Sequence, residues 1–434
     1  MSGDSTPNLI ISQTMLEAPL KVVRRNFEFN LEALRGFAAL IVVFSHILTP
    51  EFHPLDPRYS LSPYWYNFLP AHSSILIFFV LSGYVIGLTN KVSLTRQNIF
   101  PYLRKRLIRL YPIYVISIII ILPIALRKDS LLTIIGNFFF LQVLAVPTVE
   151  GNGPLWSLNY EILYYLAFVP VSYLALSPAK VCIAAICTGI LCTFILPFPQ
   201  LSSYSFGFAF WVSGLWLSKS SQFPKQYSSR TLLIALLFIF MGFSYLNPLK
   251  TPLLFIQSKF MIPGNNLRGP GVLLSDLVEL PFCLYLMLRF ASQTIKTSSV
   301  IDALIVLSGF FYSIRMISKY GVESSVIHNL ALPMVFFAIG VCLLLVTYTR
   351  RQATKYVSLP ILFLRLGAIS YAIYVIHMPI THAISNIKVF SGSAITFIIR
   401  LFVDIILIGL AGCLLELKLQ HRIKALFDKK NAVV

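Results

Sequence analysis

An arginine and a histidine near the start of the chain have the types and the spacing to serve one reaction path. They are Arg35 and His46, in the segment LEALRGFAALIVVFSH at 31–46, and the residues between them are apolar or small apart from one serine. Eleven residues at 100° each bring both side chains to one face of an α-helix, about 16 Å apart along its axis. One interpretation is the two ends of a polar pathway, since such groups inside a membrane usually face a cavity or a partner. The other is an interfacial arginine and a histidine that a neighbouring group satisfies.

Two further segments carry charged residues inside or beside apolar runs. In RKRLIRLYP, Arg106 and Arg109 are three residues apart and share one helical face, where two guanidinium groups could bind phosphate oxygens. In PLWSLNYEILYYL, Glu161 lies inside an apolar run, where a carboxylate is costly unless it is paired or protonated. The arginines are equally typical of a cytoplasmic anchor, and Trp156 with the nearby tyrosines is typical of an interfacial belt.

Small residues mark the second apolar run, which contains FFVLSGYVIG. Gly83 and Gly87 are four residues apart, a spacing that lets another helix approach closely. Helix packing alone explains this pair. Alternatively, Ser82 and Gly83 leave room for a ligand.

A second histidine occurs late in the chain, in SYAIYVIH. Ser370, Tyr374 and His377 fall on or near one helical face. This pattern favours a polar cavity shared with the first helix, but a tyrosine–histidine contact between helices explains it as well. In the last apolar run, Arg400 and Asp404 are an i, i+4 pair of opposite charge that we expect to satisfy each other.

The composition is that of a polytopic membrane protein. Of the 434 residues, 57% are hydrophobic and 12% charged, against about 25% charged in soluble domains, and the mean hydropathy is +0.79. The net charge of +19 could indicate nucleic acid, but the basic residues form short clusters between apolar runs, as in a topology signal. The six cysteines lie within apolar runs without metal-ligand spacing. We therefore expect neither a nucleic-acid partner nor a metal site.

Spanning a bilayer takes about 20 residues, and this length criterion indicates twelve apolar runs. A further run, 131–146, is expected to be re-entrant or interfacial, because the basic segments 91–109, 219–230 and 348–365 and the basic tail then all lie in the cytoplasm. The sequence thus predicts an all-α bundle of 10–12 transmembrane helices with both termini cytoplasmic, divided into a tail at 1–30, a membrane domain at 31–417 and a basic tail at 418–434. The twelve runs lie approximately at 32–49, 72–90, 108–126, 156–175, 181–197, 204–218, 231–247, 273–290, 300–317, 327–347, 366–388 and 393–416.

Taken in order, these segments resemble the membrane acyltransferase-3 family of O-acyltransferases over roughly residues 30–417. The region 247–330 is anchored only by its hydrophobicity. Where the family often has an aspartate shortly before the arginine, this chain has Glu32, which keeps the charge. The motifs that carry the resemblance are Arg35-Gly36 with His46 after ten intervening residues, FFVLSG at Phe78–Gly83, Arg106-x-x-Arg109 before Tyr111-Pro112, PLWSLNYE at Pro154–Glu161 and SYAIYVIH at Ser370–His377.

The resemblance implies transfer of an acyl group, acetyl by default, from cytosolic acyl-coenzyme A to a hydroxyl of a glycan or glycolipid. It implies a bacterial plasma (inner) membrane, a donor that is a substrate rather than a bound cofactor, and contacts with membrane lipids. Some members carry a fused extracellular hydrolase-like domain. We expect that domain to be absent, because the chain ends about 18 residues after the last predicted span.

Acyl transfer needs a general base, groups that stabilise the negative charge developing on the carbonyl oxygen, and residues that bind the donor. We expect His46 to be the general base or the acyl carrier, since imidazole titrates near neutral pH. Glu161 would orient it or hold the charged imidazolium that forms. Arg106 and Arg109 would bind the phosphates of coenzyme A, and Arg35 would hold phosphates nearer the pantetheine or polarise the thioester. The expected substrate pocket consists of Ser82, Gly83, Trp156, Ser157, Tyr374 and His377.

Two other classes of protein fit the same composition. A secondary transporter would also have many spans and buried charges, but transporters often show two related halves, which are not evident in this chain. A membrane scaffold for polysaccharide assembly would not require Arg35, His46 and Glu161 together. Turnover of acyl-coenzyme A by the purified protein separates the enzyme from both alternatives.

Overall fold

The structure is a computed structural model that describes residues 29–50, 55–220, 223, 228–262, 267, 269–349, 359 and 361–431. Helices account for most of these residues, with no strand among them and two isolated bridges, Asp56–Tyr59 and Gln142–Val146. The predicted all-α class is therefore confirmed. The predicted tail at 1–30 lies outside the described residues except for its last two, and so do Arg350, Arg351 and Lys355 of the basic segment at 348–365.

Within the described residues, the α-helices follow one another with connections that range from a single residue to long loops. A π-helical stretch, Leu414–Leu419, joins the last two of them, and 3-10 turns at Gly153–Leu155 and Leu274–Glu279 lead into two others. The helices are α1 (Phe29–Leu48), α2 (Ala71–Thr89), α3 (Arg96–Lys128), α4 (Leu131–Phe138), α5 (Trp156–Tyr173), α6 (Pro178–Phe194), α7 (Pro199–Lys219), α8 (Arg230–Leu246), α9 (Lys250–Phe260), α10 (Leu280–Phe290), α11 (Ser298–Tyr320), α12 (Ser325–Thr349), α13 (Ile361–Ala368), α14 (Ser370–Ser385), α15 (Ala394–Cys413) and α16 (Gln420–Asn431).

Seven helices of the described chain are long and apolar enough to cross a membrane: α1, α2, α3, α8 with its continuation α9, α11, α12, and α15 with its continuation to Phe427. Helices α13 and α14 make an eighth if the bent pair is one span, and they meet at an angle of 77°. The chain is thus a polytopic membrane protein. The predicted count of 10–12 requires two to four further spans beyond these eight, from among α5, α6, α7 and α10, which are shorter or more polar. That count and the cytoplasmic termini therefore stay predictions.

The run at 131–146 is helical only in its first part, α4. Eight residues rise about 12 Å, less than half of the hydrocarbon core. Ser130 caps this helix by accepting a hydrogen bond from the backbone N–H of Thr133 (3.1 Å). The chain then turns through Phe140 and Val143, whose φ values are positive (57° and 66°). A segment of this shape does not span, which agrees with the prediction that it is re-entrant or interfacial.

Helices α2 and α7 approach each other backbone to backbone. A Cβ added to Gly83 would lie 1.8 Å from the carbonyl oxygen of Trp211, and one added to Gly214 would lie 2.0 Å from that of Val80. This is the close approach that the spacing of Gly83 and Gly87 predicts. The expected pocket role of Gly83 is corrected, because the space beside this residue is occupied by the backbone of α7.

Arg400 and Asp404 do not form the expected pair. The Arg400 guanidinium donates from Nη1 to the backbone carbonyls of Leu55 (3.2 Å) and Ile384 (3.0 Å). Asp404 instead accepts a hydrogen bond from the hydroxyl of Thr381 (2.8 Å). The arginine is drawn to the end of α14, where the last carbonyl groups of a helix lack partners within it.

Candidate active site

One cavity of about 210 Å³ lies where α1, α2, α3, α5 and α14 meet. These are the five helices that carry the sequence motifs. We call it the central cavity. Of the residues singled out in the sequence it is lined by Arg35, Ser82, Arg106, Arg109, Ser157, Glu161, Ser370 and Tyr374, and Tyr165 and Tyr371 join them.

Three arginines meet at one end of the central cavity, and two of them have carboxylate partners. Arg35 donates from Nη1 to Glu32 one turn earlier on α1 (2.7 Å). Arg109 forms an ion pair with Glu416 from the π-helical stretch. Among the described residues, the third arginine, Arg106, forms no ion pair with a carboxylate. Its guanidinium is therefore the candidate to bind an external anion.

Arg106 has partners of a different kind. Its Nη2 donates to the hydroxyl of Thr89 (3.1 Å), and its guanidinium carbon lies 5.6 and 5.9 Å from the ring centroids of Tyr102 and Tyr165. Its Nε is buried and has no hydrogen-bond partner in the part of the chain that the structure describes. A buried donor without a partner is costly, and a phosphate oxygen would satisfy it.

Glu161 lies further along the cavity and is held by hydroxyl groups. Ser82 donates to its Oε1 (3.1 Å), and the hydroxyl of Tyr165 one turn later donates to the same oxygen. Trp211 in turn donates from Nε1 to Ser82 Oγ (3.1 Å). The contacts described for Glu161 are thus with Ser82 and Tyr165, and its expected role toward His46 stays a prediction.

Tyr374 lies at the other end of the central cavity. Its hydroxyl lies 2.7 Å from Ser157 Oγ and donates to the carbonyl of Pro154 (2.9 Å), which ties α14 to the start of α5. Trp156 is buried beside the cavity rather than in its lining, and its ring stacks on His72 with a centroid separation of 6.3 Å. The expected pocket role of Trp156 is therefore corrected: its side chain packs beside the residues that line the cavity and does not line it.

The two intramembrane histidines are in contact just beyond Tyr374. His46 Nδ1 lies 3.0 Å from His377 Nε2, and the rings stack with centroids 5.2 Å apart. His377 is fully buried, whereas His46 is partly exposed. The centroids of the His377 and Tyr374 rings are 6.2 Å apart. Neither histidine lines the central cavity; both lie past the tyrosine at its end.

Backbone contacts determine which ring nitrogens carry the protons. His377 Nδ1 lies 2.7 Å from the carbonyl oxygen of Tyr374 and 3.2 Å from that of Ile373, so it must be the protonated nitrogen. In neutral imidazoles, His377 Nε2 is then an acceptor and His46 Nδ1 must donate to it. His46 Nε2 consequently carries the lone pair. That nitrogen can take a proton or attack a carbonyl carbon.

The family model described as an acyltransferase domain matches residues 28–415. The match includes every residue of the central cavity and both histidines. The chain belongs to the acyltransferase-3 family. It is therefore a membrane enzyme that transfers acyl groups other than aminoacyl groups. No curated protein and no solved structure matches the chain.

A polar loop positions α5 in this acyltransferase. The side-chain amide of Gln142 donates to the carbonyl of Leu155 (2.9 Å), and that of Asn159 donates to the carbonyl of Phe140 (2.5 Å). Gly151 has a φ of +81°, and a Cβ there would lie within 3.0 Å of a neighbouring histidine nitrogen. The loop therefore fixes where the first turn of α5, with Ser157, enters the site.

Three polar residues in or beside the candidate site were not identified from the sequence. Tyr165 is four residues after Glu161 on the same helical face, so the spacing rule could have found it. Tyr371 lies inside a motif that was already assigned. Glu416 lies at the end of a predicted span. A carboxylate there is costly unless it is paired, so the argument that identified Glu161 could also have identified Glu416.

Proposed function

We propose that this acyltransferase moves an acyl group, acetyl by default, from acyl-coenzyme A to a hydroxyl of a cell-surface or exported glycan or glycolipid in a bacterial plasma membrane. One observation carries the proposal. A single cavity has three guanidinium groups at one end and a hydrogen-bonded histidine pair just past the other. The first arrangement suits the phosphates of the donor, and the second suits activation of a hydroxyl.

The donor is placed with its phosphates at the arginine end. Arg106 offers an unsatisfied Nε to a phosphate oxygen, and Arg35 on α1 lines the same cavity. Arg35 and His46 are separated by about 16 Å along the helix axis. An extended pantetheine arm covers a distance of this order, so the thioester reaches the histidine pair while the phosphates stay at the arginines.

The acceptor hydroxyl then attacks the thioester carbonyl. In the direct route, His46 Nε2 takes the hydroxyl proton, the C–S bond breaks, and the coenzyme A thiolate leaves and takes up a proton. In the acyl-enzyme route, His46 Nε2 attacks the thioester carbonyl first, the C–S bond breaks and the coenzyme A thiolate leaves. The acceptor hydroxyl then attacks the acyl-imidazole, the bond from Nε2 to the acyl carbon breaks, and the hydroxyl proton goes to the freed Nε2 and finally to the thiolate. His377 supports both routes, since its Nε2 accepts the Nδ1 proton of His46 and stabilises the positive charge that develops.

The proposal is tested by changing His46→Ala in the purified enzyme. A general base contributes about 10²–10⁴ in rate, so acyl transfer should fall at least about 100-fold while the protein still accumulates in the membrane. Coenzyme A release from acetyl-coenzyme A, with extracted cell-surface glycan as acceptor, measures the rate. The exposed histidine His328 on α12 provides the control, His328→Ala, which should keep full activity.

Near-normal turnover of the His46→Ala enzyme would contradict the assigned role of this residue. Rapid quenching after labelled acetyl-coenzyme A is added without an acceptor distinguishes the two routes. Label attached to the wild-type protein and absent from the His46→Ala protein supports the acyl-enzyme. Unlabelled protein from an enzyme that turns over normally supports direct transfer.

A further inference from the structure

The carboxylate that pairs with Arg109 comes from far along the chain. Glu416 is 307 residues away in sequence, and it lies one residue past the range 28–415 that the family model matches. Its side chain is 3% exposed, whereas that of Arg109 is 34% exposed and contributes to the central cavity. One end of the ion pair is thus fixed in the protein and the other faces the proposed donor site.

The segment that carries Glu416 is held against the same end of α3. Gln420, four residues later, donates from Nε2 to the carbonyl of Ile108 (2.7 Å), next to Arg109. The Arg104 guanidinium carbon lies 5.2 Å from the ring centroid of Phe427 on α16. Glu416 itself lies in a π-helical stretch, a feature that occurs frequently at functional sites. Two contacts with the part of α3 that precedes Arg109 therefore fix the register of this segment.

A donor phosphate could either displace Glu416 or bind beside it. Displacement would leave a buried carboxylate without its cation, and Glu416 Oε2 already has no hydrogen-bond partner among the described residues. Breaking a buried ion pair in this way is strongly unfavourable. A guanidinium has five N–H donors, and Glu416 occupies Nη1. Arg109 can therefore keep its carboxylate and still bind an anion.

We propose that Glu416 is a positioning residue for the donor: it holds Arg109 Nη1, so that the remaining N–H groups of the guanidinium face the phosphates of acyl-coenzyme A. The inference rests on the proposed function, since it deepens the donor site assigned there. It adds a residue from the C-terminal segment to a site whose other members come from the sequence motifs.

The test is the change Glu416→Gln, which keeps the shape of the side chain and removes its charge. Removing the charge weakens the contact that orients Arg109 and should raise the KM for acyl-coenzyme A about tenfold, with kcat little changed. The control is Lys418→Gln, an equal change of charge magnitude at an exposed position of the same segment, which should leave both constants unchanged. A lowered KM in the Glu416→Gln enzyme would overturn the proposal, because the carboxylate would then be competing with the donor.

A second background shows whether Glu416 acts through Arg109. In an Arg109→Ala enzyme, adding Glu416→Gln should produce no further rise in the KM for the donor. An equal rise in both backgrounds contradicts positioning through Arg109. If Glu416→Gln accumulates poorly, Glu416→Asp replaces it: the charge stays, the reach shortens, and the KM should rise while an unchanged KM counts against the proposal.

Arg106→Ala, measured in parallel, separates this inference from the proposed function. If Arg106→Ala raises the donor KM and Glu416→Gln does not, the positioning role fails and the donor site stands. If neither change affects the KM, the donor site at the arginine end fails together with the inference.

Discussion

At the scale of single residues, the histidine pair explains how a neutral imidazole can be kept in one tautomer inside a membrane. The carbonyls of Tyr374 and Ile373 require a proton on His377 Nδ1, so His377 Nε2 is an acceptor. His46 must therefore carry its proton on Nδ1, the nitrogen that contacts His377 Nε2. In a serine hydrolase, a carboxylate accepts the hydrogen bond from Nδ1 of the histidine and orients the ring. In this protein, the imidazole of His377 accepts the corresponding hydrogen bond from His46. This arrangement avoids a permanent charge in a region where a charge is expensive.

The change His377→Phe tests this arrangement, because it keeps a ring of similar size and removes the acceptor for His46 Nδ1. We expect kcat to fall about 100-fold, since a base that is wrongly oriented loses most of its contribution. The KM for acyl-coenzyme A should stay the same, because the arginines of the proposed donor site are untouched. Steady-state turnover of purified enzyme measures both constants.

The matching control is His328→Phe, the same replacement at an exposed histidine whose ring contacts Tyr64 on the surface (centroids 4.6 Å apart). It should change neither constant. Melting temperatures in detergent verify that both variants are folded. Full activity of a folded His377→Phe enzyme would show that His46 does not need its neighbour.

At the scale of helices, much of the structure follows from local sequence patterns. Apolar length predicted the seven long apolar helices of the described chain. The motif spacings predicted which side chains share a face of one helix, and in the structure Arg35, Arg106, Glu161 and Tyr374, from four different helices, line one cavity. Periodicity within a helix determines its polar face, so residues on one face are found together.

Contacts between distant helices were not predictable in the same way. The pairing of Arg109 with Glu416 depends on how α15 and α16 pack against α3. Local sequence patterns do not predict which distant helices pack together. The bend of 77° between α13 and α14 was likewise not predictable from local sequence patterns. The Arg400–Asp404 prediction was wrong because local spacing ignored the carbonyl groups at the neighbouring helix end.

The contact between α2 and α7 predicts a large effect from a single methyl group. In Gly83→Ala, the new Cβ would meet the backbone oxygen of Trp211 at 1.8 Å. Backbone atoms cannot rotate away, so the two helices must separate, and overpacking of this kind costs about 1–3 kcal/mol or more. We expect a clearly lowered melting temperature in detergent and less folded protein in the membrane.

Gly409→Ala is the control for this prediction. It places the same methyl group on α15, where nothing lies within 4 Å, and replacing a helical glycine with alanine is stabilising by roughly 1 kcal/mol. A melting temperature equal to or above that of the wild type is expected. Equal stability of the Gly83→Ala and Gly409→Ala proteins would contradict the close approach of α2 and α7.

At the scale of the whole molecule, the two ends of the bundle differ in chemistry. One end gathers the start of α1, the end of α2 and the start of α3, where Arg106 contacts Thr89 and Gln420 contacts Ile108. The opposite end carries the histidines and the turn between α14 and α15. Because acyl-coenzyme A is a cytosolic metabolite, the proposed function requires the arginine end to face the cytoplasm.

This orientation can be measured with single cysteines on opposite ends. Lys388→Cys lies in the turn between α14 and α15, and Arg422→Cys lies on α16; both positions are exposed. A membrane-impermeant maleimide should label Lys388→Cys in intact cells and Arg422→Cys only after permeabilisation. The basic segments predict the same result independently, through the excess of positive residues in cytoplasmic loops.

The background for this measurement replaces the exposed cysteines Cys187, Cys342 and Cys413 with alanine, and it should retain activity. Labelling of Arg422→Cys in intact cells, with Lys388→Cys protected, would place the arginine end outside. A cytosolic thioester could not then reach Arg106, and the proposed direction of transfer would be wrong even if His46 were essential. The orientation is therefore an independent test of the path from the arginines to the histidine pair.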